Sequence, residues 1–396
     1  MSRAIDVVVV GCGVIGASVA YYLSRTGASV LVIERGDLAS GTSSACDGNV
    51  LLVDKKPGFD SLMTYESQRL YDSLEQELEH DFCYRRFGST LAVEDEEQQQ
   101  VARDWARTQQ QAGLPLRYLE ARKVHGDEPM LARDIIGLLE CDSDSSLDPM
   151  RLVFGLGLGA RRYGARFMRF CEVKSVLTDS RRRVKGVDTT EGAVACGSVV
   201  LAAGVWTAAV AERIGVHLPI IPRQGQIVVA ERCTQPGRRK IMEFGYLMTK
   251  FGGAHSRRVE PEMDKHGVAF VYEPTADGNF LLGSSRQFCG FDTRVDPDVV
   301  KLIARRAMRF YPCIADLHVI RTYVGLRPYT EDHLPIVSSV KEVPGLYIAA
   351  GHEGDGIGLS PITGLLISQM ITSQTPRVPI EPLSIERFRP KSTSAV

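Results

Sequence analysis

The stretch Ile5–Arg35, IDVVVVGCGVIGASVAYYLSRTGASVLVIER, combines two apolar runs with a glycine-rich turn and a helical segment. Val7–Val10 is apolar and β-branched, which predicts a strand buried in a parallel sheet. The spacing of apolar residues predicts a helix over Val14–Ser24, and Val30–Ile33 predicts a second buried strand. The stretch therefore predicts a β–α–β unit.

Three glycines separate the first strand from the helix at the spacing G-x-G-x-x-G. Gly11 permits the tight turn, Gly13 lets a pyrophosphate approach the backbone, and Gly16 allows the helix to pack close to the strand. Glu34 ends the second strand, where a carboxylate accepts hydrogen bonds from ribose hydroxyls and repels a 2′-phosphate. These features predict dinucleotide binding and disfavour NADP, but they leave NAD and FAD as alternatives.

Composition narrows the class of protein. The chain has 396 residues, 44% hydrophobic and 24% charged, which is typical of a globular protein of roughly two domains. A net charge of −1 gives no reason to expect a nucleic-acid surface. The nine cysteines contain no C-x-x-C pair, so we predict no metal centre and free thiols in a reducing compartment. With no apolar run of membrane-spanning length and no room for a signal peptide, we expect a cytoplasmic protein, while membrane association through partners stays open.

Three further segments extend the predicted nucleotide unit. Ser40–Asn49, SGTSSACDGN, is a small polar loop directly after the second strand, either a solvated connection or a site for phosphate or flavin oxygens. Ser198–Gly204 predicts a buried strand that ends in glycine. Gly345–Ala350 predicts another, which leads through GHEGDGIG into a helix over Ser360–Thr372, capped by Ser360.

The segments between them have a different pattern. Gly225–Glu231, Val268–Tyr272 and Asn279–Gly283 predict antiparallel strands, and Arg166–Val176 predicts a strand paired with Arg181–Thr189. We therefore assign residues 1–85, 146–220 and 321–375 to a discontinuous nucleotide domain, 86–145 and 221–320 to a substrate domain, and 376–396 to a weakly ordered tail. This interleaving favours FAD, because NAD-dependent Rossmann enzymes usually build the nucleotide domain from one contiguous stretch.

Four motifs occur together: GCGVIG with Glu34, GTSSACDGN, LAAGVWT, and GLRPYTEDHLPI followed by AAGHEGDGIGLSPITG. In their order and spacing the chain resembles the D-amino-acid oxidase-like flavoprotein family over roughly residues 5–373. This resemblance implies an α/β chain with a discontinuous Rossmann-like FAD-binding domain. The second, α+β domain would be built on an antiparallel sheet, as in glycine oxidase and sarcosine oxidase.

The form HEGDGIGLSPITG is most similar to the β-subunits of heteromeric dehydrogenases, which include opine oxidases, D-hydroxyproline and proline dehydrogenases and hydrogen cyanide synthase. The resemblance implies FAD-dependent oxidation of the C–N bond of an amino acid or N-substituted amino acid (opine, proline-type or glycine-type), by hydride transfer to flavin. It also implies an α-subunit, a small iron–sulfur or ferredoxin-like subunit and, in several such complexes, an FMN at a subunit interface. The alternatives are a stand-alone amino-acid oxidase that uses oxygen and a non-catalytic FAD-binding assembly subunit.

The resemblance also assigns residues to sites. FAD contacts are implied for Gly11, Gly13, Val14, Ile15, Gly16, Glu34, Arg35, Thr42, Ser43, Asp47, Gly48, Asn49, Val173, Gly204, Trp206, Gly351, His352, Glu353, Gly354, Asp355, Gly356, Ile357 and Gly358. Arg327 matches the arginine that binds the substrate carboxylate in glycine oxidase, a task that suits the bidentate guanidinium. Tyr272 matches a tyrosine on the opposite side of the substrate. His352 is a candidate for proton transfer, although a histidine in a cofactor loop is more often structural.

Three positions depart from the family pattern. Gly354 stands where glycine oxidase has a second arginine, so the exact substrate stays open. Gly325 stands where monomeric sarcosine oxidase links FAD to a cysteine, which implies non-covalent FAD. Four-subunit sarcosine oxidases attach FMN to a histidine near the position of Asp148 and Pro149. This chain has no histidine there, so any interface FMN would be non-covalent as well.

Overall fold

The computed structural model describes residues 4–251, 257 and 259–389. Within them the strands are β1 (Ile5–Val10), β2 (Val30–Ile33), β3 (Asn49–Val50), β4 (Ser89–Val93), β5 (Leu116–Glu120), β6 (Gly137–Cys141), β7 (Ser145–Ser146), β8 (Arg166–Met168), β9 (Val173–Thr178), β10 (Val184–Thr189), β11 (Gly192–Leu201), β12 (Ile221–Ala230), β13 (Lys240–Glu243), β14 (Val271–Pro274), β15 (Phe280–Gly283), β16 (Val319–Tyr329), β17 (Ile336–Ser339) and β18 (Leu346–Ala350). The helices are α1 (Val14–Arg25), α2 (Phe59–Leu78), α3 (Glu96–Gln111), α4 (Ala121–Asp127), α5 (Pro149–Arg162), α6 (Thr207–Glu212), α7 (Phe244–Lys250), α8 (Pro261–Lys265), α9 (Pro297–Phe310) and α10 (Ser360–Ile371). Not one of these helices combines the length and the apolar character that a bilayer span needs.

The first sheet follows the order β17-β18-β11-β1-β2-β8, and its central strands are parallel. Alternate residues of β1 face two apolar clusters. Val7 and Val9 pack with residues of α1, α5 and α10, while Val8 and Val10 pack with residues of β9, β10 and β18 on the other face. Because both faces of β1 are covered, its run of four valines is buried, as the sequence pattern predicts.

The second sheet follows the order β16-β12-β15-β14-β13-β4-β6-β5 and is antiparallel except where β13 meets β4. Its longest ladder joins β12 to β16, from Ile221 opposite Tyr329 to Ala230 opposite Val319. Buried side chains of α9 pack against this sheet in a separate apolar cluster. The predicted fold class, a Rossmann-like sheet with a second domain on an antiparallel sheet, is confirmed.

The two sheets take their strands from interleaved parts of the chain. The first sheet uses residues 5–33, 166–201 and 336–350, and the second uses residues 89–141, 221–283 and 319–329. β16 begins at Val319 and pairs with β12 along its length, so the boundary proposed at residue 321 falls inside a strand of the second sheet. A division that follows the sheets keeps residues up to 329 with the second domain.

The segment 166–176 differs from the single strand that the sequence pattern predicts. It forms two strands, of which β8 pairs with β2 in parallel and β9 pairs with β10 in antiparallel orientation. Phe170, between them, has a φ of 56°, which turns the chain from the first sheet into the hairpin. A backbone in the left-handed region interrupts a strand whatever the apolar pattern around it.

Two predictions near the C-terminus were wrong. Ser360 does not cap α10, because the helix begins at Ser360 itself and the Ser360 hydroxyl donates to the Ile357 carbonyl oxygen at 3.1 Å. The tail is ordered as far as it is described, with 3₁₀ turns at Glu381–Leu383 and Ile385–Phe388. Leu383 and Ile385 are buried against the two faces of the first sheet, and residues 390–396 lie outside the described residues.

Candidate active site

A cavity opens at the edge of the first sheet where its parallel strands end. Val10, Ile33, Ala202 and Ala350 line it, and each stands at or directly after the carboxyl end of its strand. Neighbouring parallel strands release their following loops at this edge, which is where α/β sheets bind ligands. Arg327 of β16 also lines the cavity, so the site is formed between the two sheets.

Most of the residues predicted to contact FAD line this cavity. They are Gly11, Gly13, Val14, Ile15, Glu34, Arg35, Thr42, Ser43, Asp47, Val173, Gly204, Trp206, His352, Glu353, Gly354, Gly356 and Ile357. Six others are not among its lining residues, namely Gly16, Gly48, Asn49, Gly351, Asp355 and Gly358. Of the three predicted catalytic residues, Arg327 and His352 line the cavity and Tyr272 does not.

The glycine triplet has the geometry that its spacing predicts. Gly11 has a φ of 100°, and a Cβ there would lie 2.7 Å from the Ala202 carbonyl oxygen. A Cβ on Gly16 would overlap the Gly11 carbonyl oxygen, so glycine lets α1 pack directly on the turn. Gly13 faces the cavity, and the N–H of Val14 donates to the Ser43 hydroxyl at 3.0 Å. The turn thus brings bare backbone and the start of α1 to the cavity wall.

Glu34 is held in one orientation at the end of β2. Its two carboxylate oxygens accept hydrogen bonds from the N–H groups of Cys12 and Gly36, each at 2.8 Å. Beside it, the guanidinium of Arg35 lies 4.2 Å from the ring centroid of Trp206, which also lines the cavity. A fixed, half-buried carboxylate retains lone pairs for the hydroxyls of a ribose.

The loop after β18 contributes His352 and Glu353. The Nε2 atom of His352 lies 2.9 Å from the Thr363 hydroxyl, and burial lowers the pKa of His352 to about 3, so its imidazole is neutral. Glu353 has a φ of 51°, and its N–H donates to the Pro328 carbonyl oxygen at 2.9 Å. Its carboxylate forms an ion pair with Arg223. This loop is therefore tied to the second sheet by both backbone and side-chain contacts.

The predicted residues outside the cavity lining have structural surroundings. Asp355 forms an ion pair with the buried Lys55 at 2.6 Å. A Cβ on Gly351 would lie 2.8 Å from the Thr330 side chain, and a Cβ on Gly358 would lie 3.3 Å from the Asn49 carbonyl oxygen. These positions fix the path of the loop rather than line the site.

Gly48 and Asn49 have a similar position at the end of the Ser40–Asn49 loop. A Cβ on Gly48 would overlap the Leu147 carbonyl oxygen, because the loop packs on the segment before α5. The side chain of Asn49 accepts a hydrogen bond from Lys240. Asp47, directly before Gly48, is the carboxylate of this loop that lines the cavity.

Arg327 reaches the cavity from β16. Its guanidinium donates to the Ser285 carbonyl oxygen at 2.9 Å and to the Ser284 hydroxyl at 3.1 Å. Gly225, on the neighbouring strand, leaves it room, since a Cβ there would lie 2.5 Å from Arg327 Nη1. Burial, with the neighbouring guanidiniums, lowers the pKa of Arg327 to about 9. Across residues 4–251, 257 and 259–389, Arg327 forms no ion pair with a carboxylate.

Tyr272 lies away from the cavity, which corrects the position expected from the resemblance. It is fully buried in the apolar cluster of the second sheet, with Phe280 and Tyr311 within ring-contact distance. Its hydroxyl donates to the Gly237 carbonyl oxygen at 3.0 Å. The same cluster contains buried residues of α9, and Tyr272 is not among the residues that line the cavity with Arg327.

Sequence patterns missed a second tyrosine and two arginines near Arg327. Tyr246 lies in α7. Burial alone would raise its pKa, but the charges of Arg286, Arg223 and Arg327 help to lower that pKa below its usual value. The guanidinium of Arg286 lies 3.6 Å from the ring centroid of Tyr246. None of these residues belongs to a recognisable motif, and they come from β12, α7 and the segment after β15, so only the folded chain brings them together.

The described residues fit a flavin dinucleotide. One continuous cavity is lined by the glycine turn and Glu34, by Val173 and Trp206, and by the loop after β18. The glycine turn leaves the open backbone that a pyrophosphate needs, and Glu34 offers the carboxylate that a ribose needs. The cavity extends beyond these groups to Arg327, which leaves room for a redox-active ring and a substrate.

Comparison with known proteins agrees with this architecture. Residues 6–370 match the family model described as DAO, FAD dependent oxidoreductase. The chain is 29% identical to glycine oxidase of Geobacillus kaustophilus, with 98% of each chain covered, and 28% identical to hydrogen cyanide synthase subunit HcnC of Pseudomonas aeruginosa, with 99% and 98% covered. The solved glycine oxidase from Geobacillus kaustophilus superposes with a TM-score of 0.86 at 26% identity, covering 98% of this chain and 100% of that one. L-proline dehydrogenase from P. horikoshii shares the fold, with a TM-score of 0.87 at 21% identity and 98% of each chain covered. The predictions of an enzyme and of FAD as its cofactor are confirmed, because the chain belongs to the DAO family of FAD-dependent oxidoreductases.

Proposed function

We propose that this chain oxidises the C–N bond of an amino acid or N-substituted amino acid and is the catalytic subunit of a heteromeric dehydrogenase. The observation that carries the proposal is Arg327, a guanidinium without a carboxylate partner in the described chain, which lines the same cavity as the glycine turn. A substrate carboxylate would supply the missing anion in bidentate geometry. Glycine oxidase, a relative across nearly the whole chain, is named for an amino acid with that group.

Different residues of the cavity would hold different parts of FAD. Gly13 and the start of α1 would face the pyrophosphate, Glu34 the ribose, and the loop His352–Ile357 the ring region. Bound FAD supplies the two-electron acceptor for C–N oxidation. A Cβ on Gly325 would overlap the Ala45 carbonyl oxygen, which supports non-covalent FAD because a cysteine does not fit there.

His352 would have a positioning role in the cavity rather than transfer a proton. Its imidazole is neutral, buried and bonded to Thr363, which leaves little capacity for proton release near neutral pH. The substrate would react as the neutral amine, oriented by Arg327 against the cofactor. Proximity and orientation are then the contributions of the protein.

A heteromeric assembly is supported by an exposed apolar face on α5. Met150, Phe154 and Leu158 are at least 40% exposed and lie one helical turn apart. Such a row on a helix surface is typical of a contact with another chain, and HcnC is itself named as a subunit. We propose that α5 contacts a companion α-subunit, in a complex that also holds a small iron–sulfur or ferredoxin-like subunit. Any FMN at such an interface would be non-covalent.

The assembly is proposed to work in the cytoplasm. All nine cysteines are free thiols, and four of them are buried: Cys12, Cys141, Cys171 and Cys196. Free thiols are typical of a reducing compartment. Secretion into an oxidising compartment would contradict this placement and can be tested by cell fractionation.

The decisive experiment follows flavin absorbance during the two halves of the reaction. The purified chain, loaded with FAD, is mixed without oxygen with glycine, L-proline, D-proline, sarcosine and N-(carboxyalkyl) amino acids, and is then exposed to air. A dehydrogenase is reduced quickly by its substrate and reoxidised slowly by air. Rapid peroxide release would support the stand-alone oxidase instead.

A pair of arginine variants separates catalysis from assembly. Arg327→Gln should raise the KM for the substrate by at least about tenfold, since a charge-assisted hydrogen bond is lost. Arg321→Gln, an exposed arginine of the same strand, should leave the KM unchanged. If Arg327→Gln leaves the kinetics intact and only disrupts the complex, the chain is an assembly subunit.

A further inference from the structure

Four cationic side chains lie near Tyr246, and one of them, Arg327, lines the cavity. Arg223 and Arg327 stand directly opposite each other on β12 and β16, so their side chains extend from the same face of the sheet. Arg286 stacks on the Tyr246 ring, and Lys250 follows from the same helix as Tyr246. Burial alone would raise the pKa of Tyr246, but Arg286 and the other three cations lower it below its usual value.

Few of the described carboxylates pair with this cluster, and Asp47 attracts Arg327 only from beyond ion-pair distance. Glu353 pairs with Arg223 and lies 3.9 Å from Lys250. Among the described residues, neither Arg286 nor Arg327 forms an ion pair with a carboxylate. Arg286 therefore lies near Arg327, which lines the cavity, and neither guanidinium has an ion pair within the described chain, an arrangement that is costly unless a ligand supplies an anion.

Unused hydrogen-bond donors point to the same conclusion. Arg223 is only 7% exposed, and its Nε atom has no hydrogen-bond partner in the described part of the chain. Nη1 of Arg286 is also buried without a partner there. A buried donor on a charged group is normally satisfied, so these atoms mark a position where an acceptor binds.

We infer that the substrate is an amine with two carboxylates, one held by Arg327 and the second by Arg286 beside Tyr246. This inference rests on the proposed function and selects among its substrate classes. The second carboxylate belongs either to an acidic side chain or to an N-linked carboxyalkyl arm. Glycine and proline, with one carboxylate each, leave one of the two guanidiniums unpaired.

Matched substrates test the second carboxylate in the FAD-loaded protein. Iminodiacetate and sarcosine differ only in the N-linked carboxylate, while glutamate and glutamine differ only in the side-chain carboxylate. Anaerobic flavin reduction should favour the diacid by at least about tenfold in kcat/KM in one of the two pairs, and that pair identifies the source of the second carboxylate. Equal or faster reduction by the monoacid in both pairs would overturn the inference and leave the proposed function standing.

A variant and its control locate the group that binds the second carboxylate. Arg286→Gln should reduce the diacid-to-monoacid ratio by at least about tenfold. Arg294→Gln should keep it, because Arg294 is exposed and pairs with Asp292. A preserved ratio in Arg286→Gln would refute the assignment. Should that variant fail to fold, Arg286→Lys retains the charge, and the loss of the bidentate fork should still lower the ratio.

Binding without turnover separates this inference from the function on which it rests. Thiodiacetate and (methylthio)acetate resemble the first substrate pair but have no amine to oxidise. Thiodiacetate should perturb the flavin spectrum and raise the melting temperature at lower concentration than its monoacid. If no amine reduces the flavin, the proposed function fails. Equal binding of the two thioethers would then also refute the second carboxylate site.

Discussion

His352 gives a pH dependence that can be worked out from its burial. The pKa of His352 is lowered to about 3 in the folded chain, because burial penalises the charged imidazole. An unfolded histidine has a pKa of about 6.5, so the unfolded chain binds more protons at mildly acidic pH, and the free energy of unfolding decreases as the pH falls below that value. Between about pH 7.5 and about pH 5 this one group should remove about 2 kcal/mol of stability.

The measurement compares urea unfolding of the FAD-loaded wild type and of His352→Gln at these two pH values. Glutamine preserves a hydrogen bond to Thr363 but does not titrate, so the variant should lose about 2 kcal/mol less than the wild type on acidification. His217→Gln is the matched control, since His217 is exposed. An identical loss of stability in wild type and His352→Gln would refute the argument, and a kcat that follows the titration of His352 near neutral pH would restore its role in proton transfer.

Three other residues give separate tests of the cavity and its supports. Gly16→Ala places a Cβ on the Gly11 carbonyl oxygen and should weaken the retention of FAD during gel filtration. Gly126→Ala, which has open space around it, should retain FAD as the wild type does. Equal retention in the two variants would contradict the packing argument. Glu34→Gln removes an anionic acceptor and should weaken FAD binding in titrations of the apoprotein by about tenfold, so unchanged affinity would remove Glu34 from the ribose site. Lys55→Met leaves the carboxylates of Asp54 and Asp355 without their cation and should lower the free energy of unfolding in urea by about 3 kcal/mol. Lys301→Met, in an exposed ion pair, should cause no measurable loss of stability.

The β–α–β unit at the N-terminus could be predicted from sequence almost residue by residue. The predicted helix over Val14–Ser24 ends one residue later in the structure, and the strand Val30–Ile33 has the predicted bounds. These elements depend on short-range patterns, namely an apolar run and a glycine turn, which act within a few neighbouring residues. The loop after β18 was found in the same way, because its glycines follow a buried strand directly.

Strand faces in the second sheet could not be predicted in this way. Tyr272 and Tyr246 both have apolar neighbours in the sequence, but only Tyr246 is near Arg327 in the structure. The side of the sheet to which Tyr272 points depends on how β14 pairs with β13 and β15. A shift of one residue in that pairing would reverse the side chains, and the sequence contains no signal for the register.

The sequence by itself determined the dinucleotide unit, the family and the presence of Arg327, because each rests on residues that are neighbours in the chain. Only the tertiary structure decided that Arg223, Arg286 and Arg327 share one cluster, in which Arg286 and Arg327 form no ion pair with a described carboxylate. These residues are far apart in sequence and meet through the β12–β16 ladder and the segment after β15. Their charges interact because folding excludes water from between them, and that desolvation is a property of the packed chain rather than of any segment.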